Sequence, residues 1–353
     1  MIMHVVGVRP NYVKAAPLVR ELSDKDQIVV NTGQHYDKIL SDDIMVSLGM
    51  RKPDINLSIP TKAGVFERLG CLTQGLYATM IKYDPRLVVV YGDVDSTLGA
   101  ALAASRLHIP VAHVEAGLRS FDDKMPEEVN RKIIDTISSI HFATEDSAVE
   151  NLQNEGYSSS IKLVGNSMID SLVKVIKSEA FRNCEKTNNG KILMTCHRQS
   201  NVDNKYNLLS IYEMCRSISQ NITFPVHPRT LKKMKDFDLY EKFMSLENLE
   251  LMGPLDYCSF LKMMSTSSGV ITDSGGIQEE TTFLGIPCIT IRENTERPST
   301  IINGTNTLAS FDEVDYYVKK ITSLNYKKPE KMKLWDGQAG ERISFHIRQF
   351  LDS

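Results

Sequence analysis

The chain has 353 residues and a formal net charge of −3, and 42% of its residues are hydrophobic and 24% charged. This length suits two domains of about 150–180 residues better than one, and the composition is ordinary for a globular protein. The near-neutral charge gives no electrostatic reason to expect nucleic acid or a membrane surface as a partner.

The apolar runs, the first residues and the cysteine pattern of the sequence predict a cytoplasmic protein. No apolar run of about 18 residues is present, so no membrane-spanning helix is predicted, and the first ten residues, MIMHVVGVRP, lack the basic and long apolar parts of a signal peptide. The cysteines are Cys71, Cys184, Cys196, Cys215, Cys258 and Cys288. They form no CxxC pair, which favours free thiols and no metal site.

Short apolar runs alternate with helical patterns along the whole chain. The first series of predicted strands is 4–8, 28–31, 87–91, 111–114, 140–143 and 161–164, and the second series is 191–195, 223–226, 249–252, 269–272 and 287–291. Most runs are continuously apolar, which is typical of parallel strands buried on both faces. With helical patterns such as 97–107 and 204–219 between them, they predict two doubly wound, Rossmann-like α/β domains facing a cleft.

A polar segment at 177–191 separates the two series of strands. We place the boundary near 165–168, which gives an N-terminal domain of residues 1–166 and a second domain of residues 167–337. The helix after the boundary is thereby assigned to the second domain. Ligands of doubly wound folds bind at the carboxyl ends of the strands, so polar residues that follow strands are the site candidates.

The segment GVRPNYVK follows the first predicted strand. Gly7 allows a tight turn, and Arg9 and Lys14 stand at the start of the first helix, whose N-terminus already favours anions. A solvated pair of cations in a loop would give the same pattern. The segment is not GxGxxG, so a nicotinamide cofactor is not indicated.

Two acidic residues follow the third strand. Asp93 comes directly after Gly92 at the carboxyl end of 87–91, and we favour a role in the site for it. Asp95 lies two residues further on, and we expect it to cap the next helix.

The segment HVEAGLRSFDDKMPEEVNR carries three more acids of interest. Glu115 ends an apolar strand, which is not the usual position of a surface acid. Glu127 and Glu128 open a helix after Pro126, where acids complement the helix dipole. We expect Glu127 to face the site and Glu128 mainly to complement the dipole. Several carboxylates at one cleft suit proton transfer at carbon.

Basic residues follow two strands of the second domain. His197 and Arg198 come after 191–195, and His227 and Arg229 follow 223–226. Imidazole beside guanidinium suits a phosphate or a leaving oxyanion. A histidine packed at the end of a strand is the alternative.

The segment ITDSGGIQEE at 271–280 is the strongest local signal. Ser274, Gly275 and Gly276 turn the chain from a strand into a helix, where small residues let a phosphate approach exposed N–H groups. Glu280 stands where a carboxylate can accept hydrogen bonds from a ribose diol. No Walker-type GxxxxGK[ST] is present, so an ATPase loop is excluded.

Taken together, these motifs resemble the non-hydrolysing UDP-N-acetylglucosamine 2-epimerases. The resemblance also covers NTGQHYD, VHPRT and RENTERPSTIINGTN, runs in order and includes most of the chain. It implies a GT-B-like fold with a C-terminal helix, at about 338–353, packed back on the first domain. It also implies a homodimer, no cofactor, and a role in making surface-polysaccharide precursors.

The resemblance further implies roles for individual residues. Ser274, Gly275 and Glu280 would hold UDP, and Arg9, His197 and Arg297 would lie at its pyrophosphate. Asp93, Glu115 and Glu127 would flank the sugar as catalytic carboxylates, and His197 is predicted to be a catalytic residue as well. The implied reaction removes the C2 proton, expels UDP to give a bound 2-acetamidoglucal, and adds UDP back.

The chain departs from one subgroup of the family. Bacterial members regulated by a second substrate molecule usually carry QHR and HRRE, whereas this chain has QHYD at 34–37 and HRQS at 197–200. Allosteric activation by the substrate is therefore not implied. The TERP segment at 295–298 favours N-acetylglucosamine over diacetamido-uronic acid substrates. The remaining alternatives are a hydrolysing epimerase, a GT-B glycosyltransferase and a non-catalytic UDP-sugar-binding regulator.

Overall fold

The computed structural model describes residues 1–33, 44–57, 59, 64–185, 187–323 and 326–352. The QHYD segment at 34–37 lies outside the described residues. By its internal contacts the chain divides into two compact units. Unit 1 comprises Met1–Val175 and Lys333–Ser353, and unit 2 comprises Ile176–Met332.

Unit 1 contains a sheet of seven parallel strands. They are β1 (Ile2–Val6), β2 (Gln27–Asn31), β3 (Ile55–Asn56), β4 (Leu87–Tyr91), β5 (Val111–Ala116), β6 (Ile140–Ala143) and β7 (Ile161–Leu163). Their order in the sheet is β3-β2-β1-β4-β5-β6-β7. Because the chain runs outward from β1 in both directions, the switch point where such folds bind ligands lies between β1 and β4.

Helices connect these strands in the β-α-β manner that parallel pairing requires. They are α1 (Arg9–Glu21), α2 (described over 44–48), α3 (Val65–Tyr83), α4 (Asp95–Arg106), α5 (Pro126–Ile137), α6 (Asp146–Asn154) and α7 (Ser167–Lys177). Asp95 is the first residue of α4 and does not cap it, since Val94 holds the cap position. Asp95 instead pairs with Arg68 at 3.3 Å, so the capping prediction is wrong.

Unit 2 contains a second parallel sheet, of six strands. They are β8 (Ile192–Thr195), β9 (Ile222–Pro225), β10 (Leu249–Met252), β11 (Gly269–Thr272), β12 (Cys288–Thr290) and β13 (Asn306–Leu308). Their order is β10-β9-β8-β11-β12-β13, which places the switch point between β8 and β11.

Nine α-helices of unit 2 are described. They are α8 (Glu179–Arg182), α9 (Gln199–Val202), α10 (Lys205–Ser217), α11 (Pro228–Asp236), α12 (Tyr240–Met244), α13 (Tyr257–Ser265), α14 (Gly275–Leu284), α15 (Pro298–Ile302) and α16 (Val314–Thr322). Across both units, no described helix is long and apolar enough to cross a membrane. No described group of His, Cys, Asp or Glu side chains is arranged to hold a metal ion.

The predicted α/β class is confirmed, with two parallel sheets flanked by helices. The continuously apolar runs are strands buried on both faces, as in β4 and β8. β1 begins two residues before the predicted start, because Ile2 and Met3 pair with the strand at Gln27 and Ile28. β3 and β13 were not predicted, since both are short edge strands without an apolar run.

The contacts of α7 explain why the first segment of unit 1 extends to Val175. Most of α7 belongs to unit 1, whereas the sequence prediction placed this helix in the second domain. The Ser171 hydroxyl donates to the Val13 carbonyl of α1 at 2.6 Å. The last helix, α17 (Ala339–Asp352), packs against α1, and its Gly340 N–H donates to the Asp170 carboxylate at 2.7 Å.

Asp170 makes the stability of unit 1 dependent on pH. Its burial raises the pKa to about 6, although N–H groups of α17 oppose this. The folded state therefore binds the proton more tightly than the unfolded chain, and stability falls as pH rises toward 6. We expect wild type to lose about 1 kcal/mol relative to Asp170→Asn between pH 5 and pH 8. Urea unfolding of both proteins at the two pH values measures this, and parallel pH profiles would contradict it.

Candidate functional site

The carboxyl ends of β1, β4 and β5 bring predicted residues together at one edge of the sheet in unit 1. Arg9 begins α1, Lys14 lies further along it, Asp93 follows β4 and Glu115 lies in β5. Lys14 and Glu115 form an ion pair, with side chains only 8% and 6% exposed. Gly92 has a φ angle of 66°, and a Cβ atom there would lie 2.7 Å from the Lys14 Nζ atom, so a side chain would be strained and would displace the ammonium group.

The backbone of Glu115 is in an unusual conformation. Its φ angle is 76°, in the left-handed region that costs a non-glycine residue about 1 kcal/mol or more. The register between β5 and β6 also shifts between Val114 and Ala116. Such bulges redirect a side chain out of the regular alternation of a strand. The fold therefore holds Glu115 in a direction that a regular strand would not give it.

Asp93 is held from α5. Its Oδ2 atom lies 2.6 Å from the Nη2 atom of Arg131, and its side chain remains 20% exposed. The Asn130 side chain donates to the Asp93 carbonyl at 2.8 Å. The carboxylate is thus fixed beside a cation while part of its surface stays accessible.

The two acids at the start of α5 are in different environments. Glu127 is partly exposed and has no hydrogen bond or ion pair to another described residue. Glu128 is fully buried and accepts hydrogen bonds from the Ser120 N–H at 2.8 Å and the Phe121 N–H at 3.1 Å. Arg131 adds a contact at 2.5 Å to the same carboxylate.

The expectation that Glu128 mainly complements the helix dipole is therefore wrong. A step of about 100° along a helix turns its side chain inward, where it anchors the preceding loop. Its removal would leave several buried donors and a guanidinium without their acceptor, which is far costlier than loss of a surface charge.

A buried network supporting the Gly92 turn was missed in the sequence. His113 in β5 lies with Nδ1 2.6 Å from Asp135 and Nε2 2.9 Å from the Gly92 carbonyl. Each ring nitrogen of His113 therefore faces an acceptor oxygen. Burial alone would raise the pKa of Asp135, but His113 and Arg119 outweigh it and lower the pKa to about 2. In the sequence, the feature that could have indicated this network is the position of His113 inside an otherwise apolar strand.

In unit 2 one carboxylate, Asp273, organises the loop after β8. It follows β11, is fully buried, and accepts from the N–H groups of His197 and Arg198 at 3.0 Å and 2.8 Å. The Asn201 side chain and the Cys196 thiol also donate to it, each at 3.1 Å. Burial, aided by the charge of Asp273, raises the pKa of this thiol, which therefore stays protonated as a donor. No separate role for Asp273 was predicted from the sequence.

The predicted histidines of unit 2 lie together. The rings of His197 and His227 stack with centroids 5.2 Å apart. His197 Nδ1 is 3.5 Å from Asp273, and its side chain is 36% exposed. His227 caps α11 by accepting from the Arg229 N–H, and Arg229 pairs with Asp203 at 2.5 Å. Arg229 therefore has a structural partner.

The turn from β11 into α14 is packed against an arginine. Ser274 is the N-cap residue but its side chain does not cap the helix. A Cβ atom at Gly275 would lie 2.4 Å from the Nη1 atom of Arg297 and 2.7 Å from Glu296 Oε1. Gly276 follows within the first turn of α14. Small residues here bring a guanidinium onto the N-terminus of a helix, where both attract anions.

Arg297 belongs to a buried cluster of charges. It pairs with Glu296 and lies 3.0 Å from Glu279, while Arg292 lies 2.8 Å from Glu296. Arg198 approaches Glu296 at 3.9 Å. Three guanidinium groups thus surround one carboxylate beside the start of α14, which is an arrangement suited to a multiply charged anion.

Glu280 is 4% exposed, in the second turn of α14. Its Oε1 atom accepts from the Tyr257 hydroxyl at 2.7 Å. Glu280 thus has a tyrosine partner, Tyr257, that was not predicted from the sequence.

Each unit thus gathers its own set of predicted residues. In unit 1 these are Arg9, Lys14, Asp93, Glu115 and Glu127, and in unit 2 they are His197, Arg198, His227, Ser274, Gly275, Gly276, Glu280 and Arg297. The first set is dominated by carboxylates and the second by anion-binding groups, which separates acid–base chemistry from phosphate binding.

Comparison with known proteins gives a consistent result. Residues 19–348 match the model of a protein family described as UDP-N-acetylglucosamine 2-epimerase. A Methanococcus maripaludis protein named as a homolog of that enzyme is 41% identical over 314 residues, covering 87% of this chain and 88% of the relative. A Pseudomonas aeruginosa UDP-2,3-diacetamido-2,3-dideoxy-D-glucuronate 2-epimerase is 35% identical, covering 98% and 99%.

A solved structure matches over both units. It is that of the Methanocaldococcus jannaschii UDP-GlcNAc 2-epimerase in complex with UDP-GlcNAc and UDP, with a TM-score of 0.91. The two sequences are 36% identical, and the match covers 99% of each chain. The fold is accordingly a GT-B-like, two-domain α/β fold.

Proposed function

Because the chain belongs to the UDP-N-acetylglucosamine 2-epimerase family, we propose that it interconverts UDP-N-acetylglucosamine and UDP-N-acetylmannosamine without hydrolysis. A carboxylate removes the C2 proton, the C1–O bond breaks, and UDP leaves with the bonding electrons. The product of this step is 2-acetamidoglucal. A UDP oxygen then adds back to C1 while C2 takes a proton on its opposite face.

The observation that carries this proposal is the group of carboxylates at the edge of the sheet in unit 1. Asp93 and Glu115 each stand beside a buried cation, whereas Glu127 has no partner among the described residues. Proton removal on one face and delivery on the other need two differently placed acid–base groups. In this proposal Asp93, Glu115 and Glu127 supply them.

The second half of the proposal assigns the anion-binding groups of unit 2 to UDP. Negative charge grows on the diphosphate as the C1–O bond breaks, and preorganised donors stabilise it most where water is excluded. His197, Arg198, Arg297 and the N-terminus of α14 would supply such donors. Glu280 would accept from the ribose diol.

Reaction in D₂O tests the function. Incubated with UDP-N-acetylglucosamine alone, the protein is expected to form UDP-N-acetylmannosamine with deuterium at C2, visible by NMR. The diacetamido-uronic acid nucleotide serves as the second substrate, because a relative is named for it. If the protein prefers that nucleotide, the proposed substrate is wrong, but the proposed reaction, epimerisation at C2, still holds.

Two other results would replace the proposal. Release of free N-acetylmannosamine with equal UDP would indicate a hydrolysing epimerase. No turnover until an acceptor is added would indicate a glycosyltransferase, a class that shares the GT-B fold.

A homodimer forms a further part of the proposal. Val65, Phe66 and Ile81 of α3 are 62%, 88% and 58% exposed. Phe66 and Tyr77 of the same helix also line an open groove of about 490 Å³. Exposed apolar surface of this kind typically marks an interaction site. Sedimentation of wild type and Phe66→Glu should show a dimer and a monomer, and a monomeric wild type would contradict the assignment.

A further inference from the structure

Arg131 is a charged group in an unusual place. It is among the largest fully buried side chains of the described chain. Its guanidinium lies between two carboxylates, with Nη1 2.5 Å from Glu128 and Nη2 2.6 Å from Asp93. A guanidinium remains charged in proteins, and burying it is costly unless carboxylates compensate it. Its position therefore calls for a specific reason.

We propose that Arg131 is the positioning residue of the Asp93 carboxylate, an inference that rests on the proposed function. Arg131 is buried and so does not touch the sugar. It holds the Oδ2 atom of Asp93, whose side chain remains 20% exposed at the edge of the sheet. The rigid fork of a guanidinium can fix one carboxylate while anchored on another.

The main chain at Asp93 is fixed independently of Arg131. Asn130 donates to the Asp93 carbonyl, and His113 donates to the carbonyl of Gly92, at 2.8 Å and 2.9 Å. Neither of these contacts restrains the rotation of the Asp93 side chain. Arg131 restrains that rotation, so its loss should misplace the carboxylate without moving the loop.

Glu128 is the anchor of this arrangement. It is buried and accepts hydrogen bonds from the loop at Ser120 and Phe121 as well as from Arg131. The chain of contacts therefore runs from the loop through Glu128 and Arg131 to Asp93. Replacing Arg131 alone by an apolar residue would leave Glu128 buried and uncompensated, and the protein could fail to fold.

Two variants avoid that difficulty. Arg131→Lys keeps the charge but loses the fork, and Arg131→Met with Glu128→Gln removes one positive and one negative charge together. Each is expected to lower kcat by about 10- to 100-fold with KM and UDP affinity nearly unchanged, since a carboxylate misplaced by about 1 Å loses that much. Arg342→Lys, which alters an arginine of α17 bonded to Val164 and Asp336, should retain wild-type kcat.

A double-mutant cycle separates positioning from a purely structural role. If Arg131 acts through Asp93, adding Asp93→Asn to Arg131→Lys should cost far less than Asp93→Asn costs in wild type. Additive losses would overturn the positioning role. Asp93→Asn with wild-type activity would contradict the role of Asp93 in the proposed function.

The contact itself is tested without turnover. In protein with ¹³C-labelled aspartate, the carboxyl resonance of Asp93, assigned by its absence in Asp93→Asn, should shift in Arg131→Lys and stay unchanged in Arg342→Lys. An unshifted resonance in Arg131→Lys would overturn the inference whatever the reaction proves to be. Wild-type protein inactive on both nucleotides would contradict the proposed function alone, because this resonance would still report the contact.

Discussion

Glu127→Gln is expected to lower kcat by about 10²–10⁴, the usual contribution of a positioned acid–base group. Glu127 has no partner among the described residues, so the change removes a titrating oxygen and little else. UDP affinity and the thermal midpoint should stay close to wild type. Steady-state kinetics, calorimetry with UDP and thermal unfolding measure the three quantities.

Two neighbouring acids serve as controls for this result. Glu115→Gln should lower kcat to a similar extent, but it also leaves Lys14 buried without its partner and should be less stable. Glu128→Gln should mainly lower stability, because Glu128 anchors a loop and Arg131. If Glu127→Gln keeps wild-type activity, Glu127 is not a catalytic residue. If both Glu115→Gln and Glu127→Gln keep it, the proposed carboxylate mechanism is wrong.

Gly275→Ala is expected to weaken UDP binding by about 100-fold or more, equivalent to about 3 kcal/mol. The new methyl group would collide with Arg297 and Glu296 and displace the guanidinium from the start of α14. Affinity for uridine should change little, since the loss concerns the diphosphate. Titration calorimetry with UDP and with uridine distinguishes the two.

Matched variants of unit 2 sharpen the comparison. Gly253→Ala adds the same methyl group where nothing lies within 4 Å, and it should bind UDP as wild type does. Glu280→Gln should weaken both UDP and uridine by about 1.5–3 kcal/mol, since a ribose diol loses a charged acceptor. If Gly275→Ala and wild type bind UDP with equal affinity, the diphosphate does not bind at the start of α14.

The fold class and most strands could be predicted from the sequence, because strands buried on both faces of a parallel sheet are continuous apolar runs. The sequence was also sufficient to place Asp93 and Ser274, since both follow such runs at positions where doubly wound folds bind ligands. Edge strands such as β3 were not predicted, because a strand of two residues is too short to show an apolar run or an alternating pattern.

The supporting residues could not be predicted, for a physical reason. Glu127 and Glu128 are identical in type and adjacent, and only the packing of α5 decides which is buried. Asp273 and Arg131 act through partners distant in the chain, in one case 38 residues away. Local patterns indicate which residues stand at an edge of a sheet, but not which of them hold the others in place.

The return of α17 to unit 1 has a consequence for synthesis on the ribosome. Unit 2 is a continuous stretch of chain, whereas unit 1 needs its last helix, which packs on α1. Domains generally fold as their segments emerge, N-terminal first. Here the order of completion is reversed, since unit 2 can finish while unit 1 still lacks α17. A released chain truncated before residue 333 would therefore contain all of unit 2 but a first unit that lacks α17, and chaperones and proteases would act on that unit.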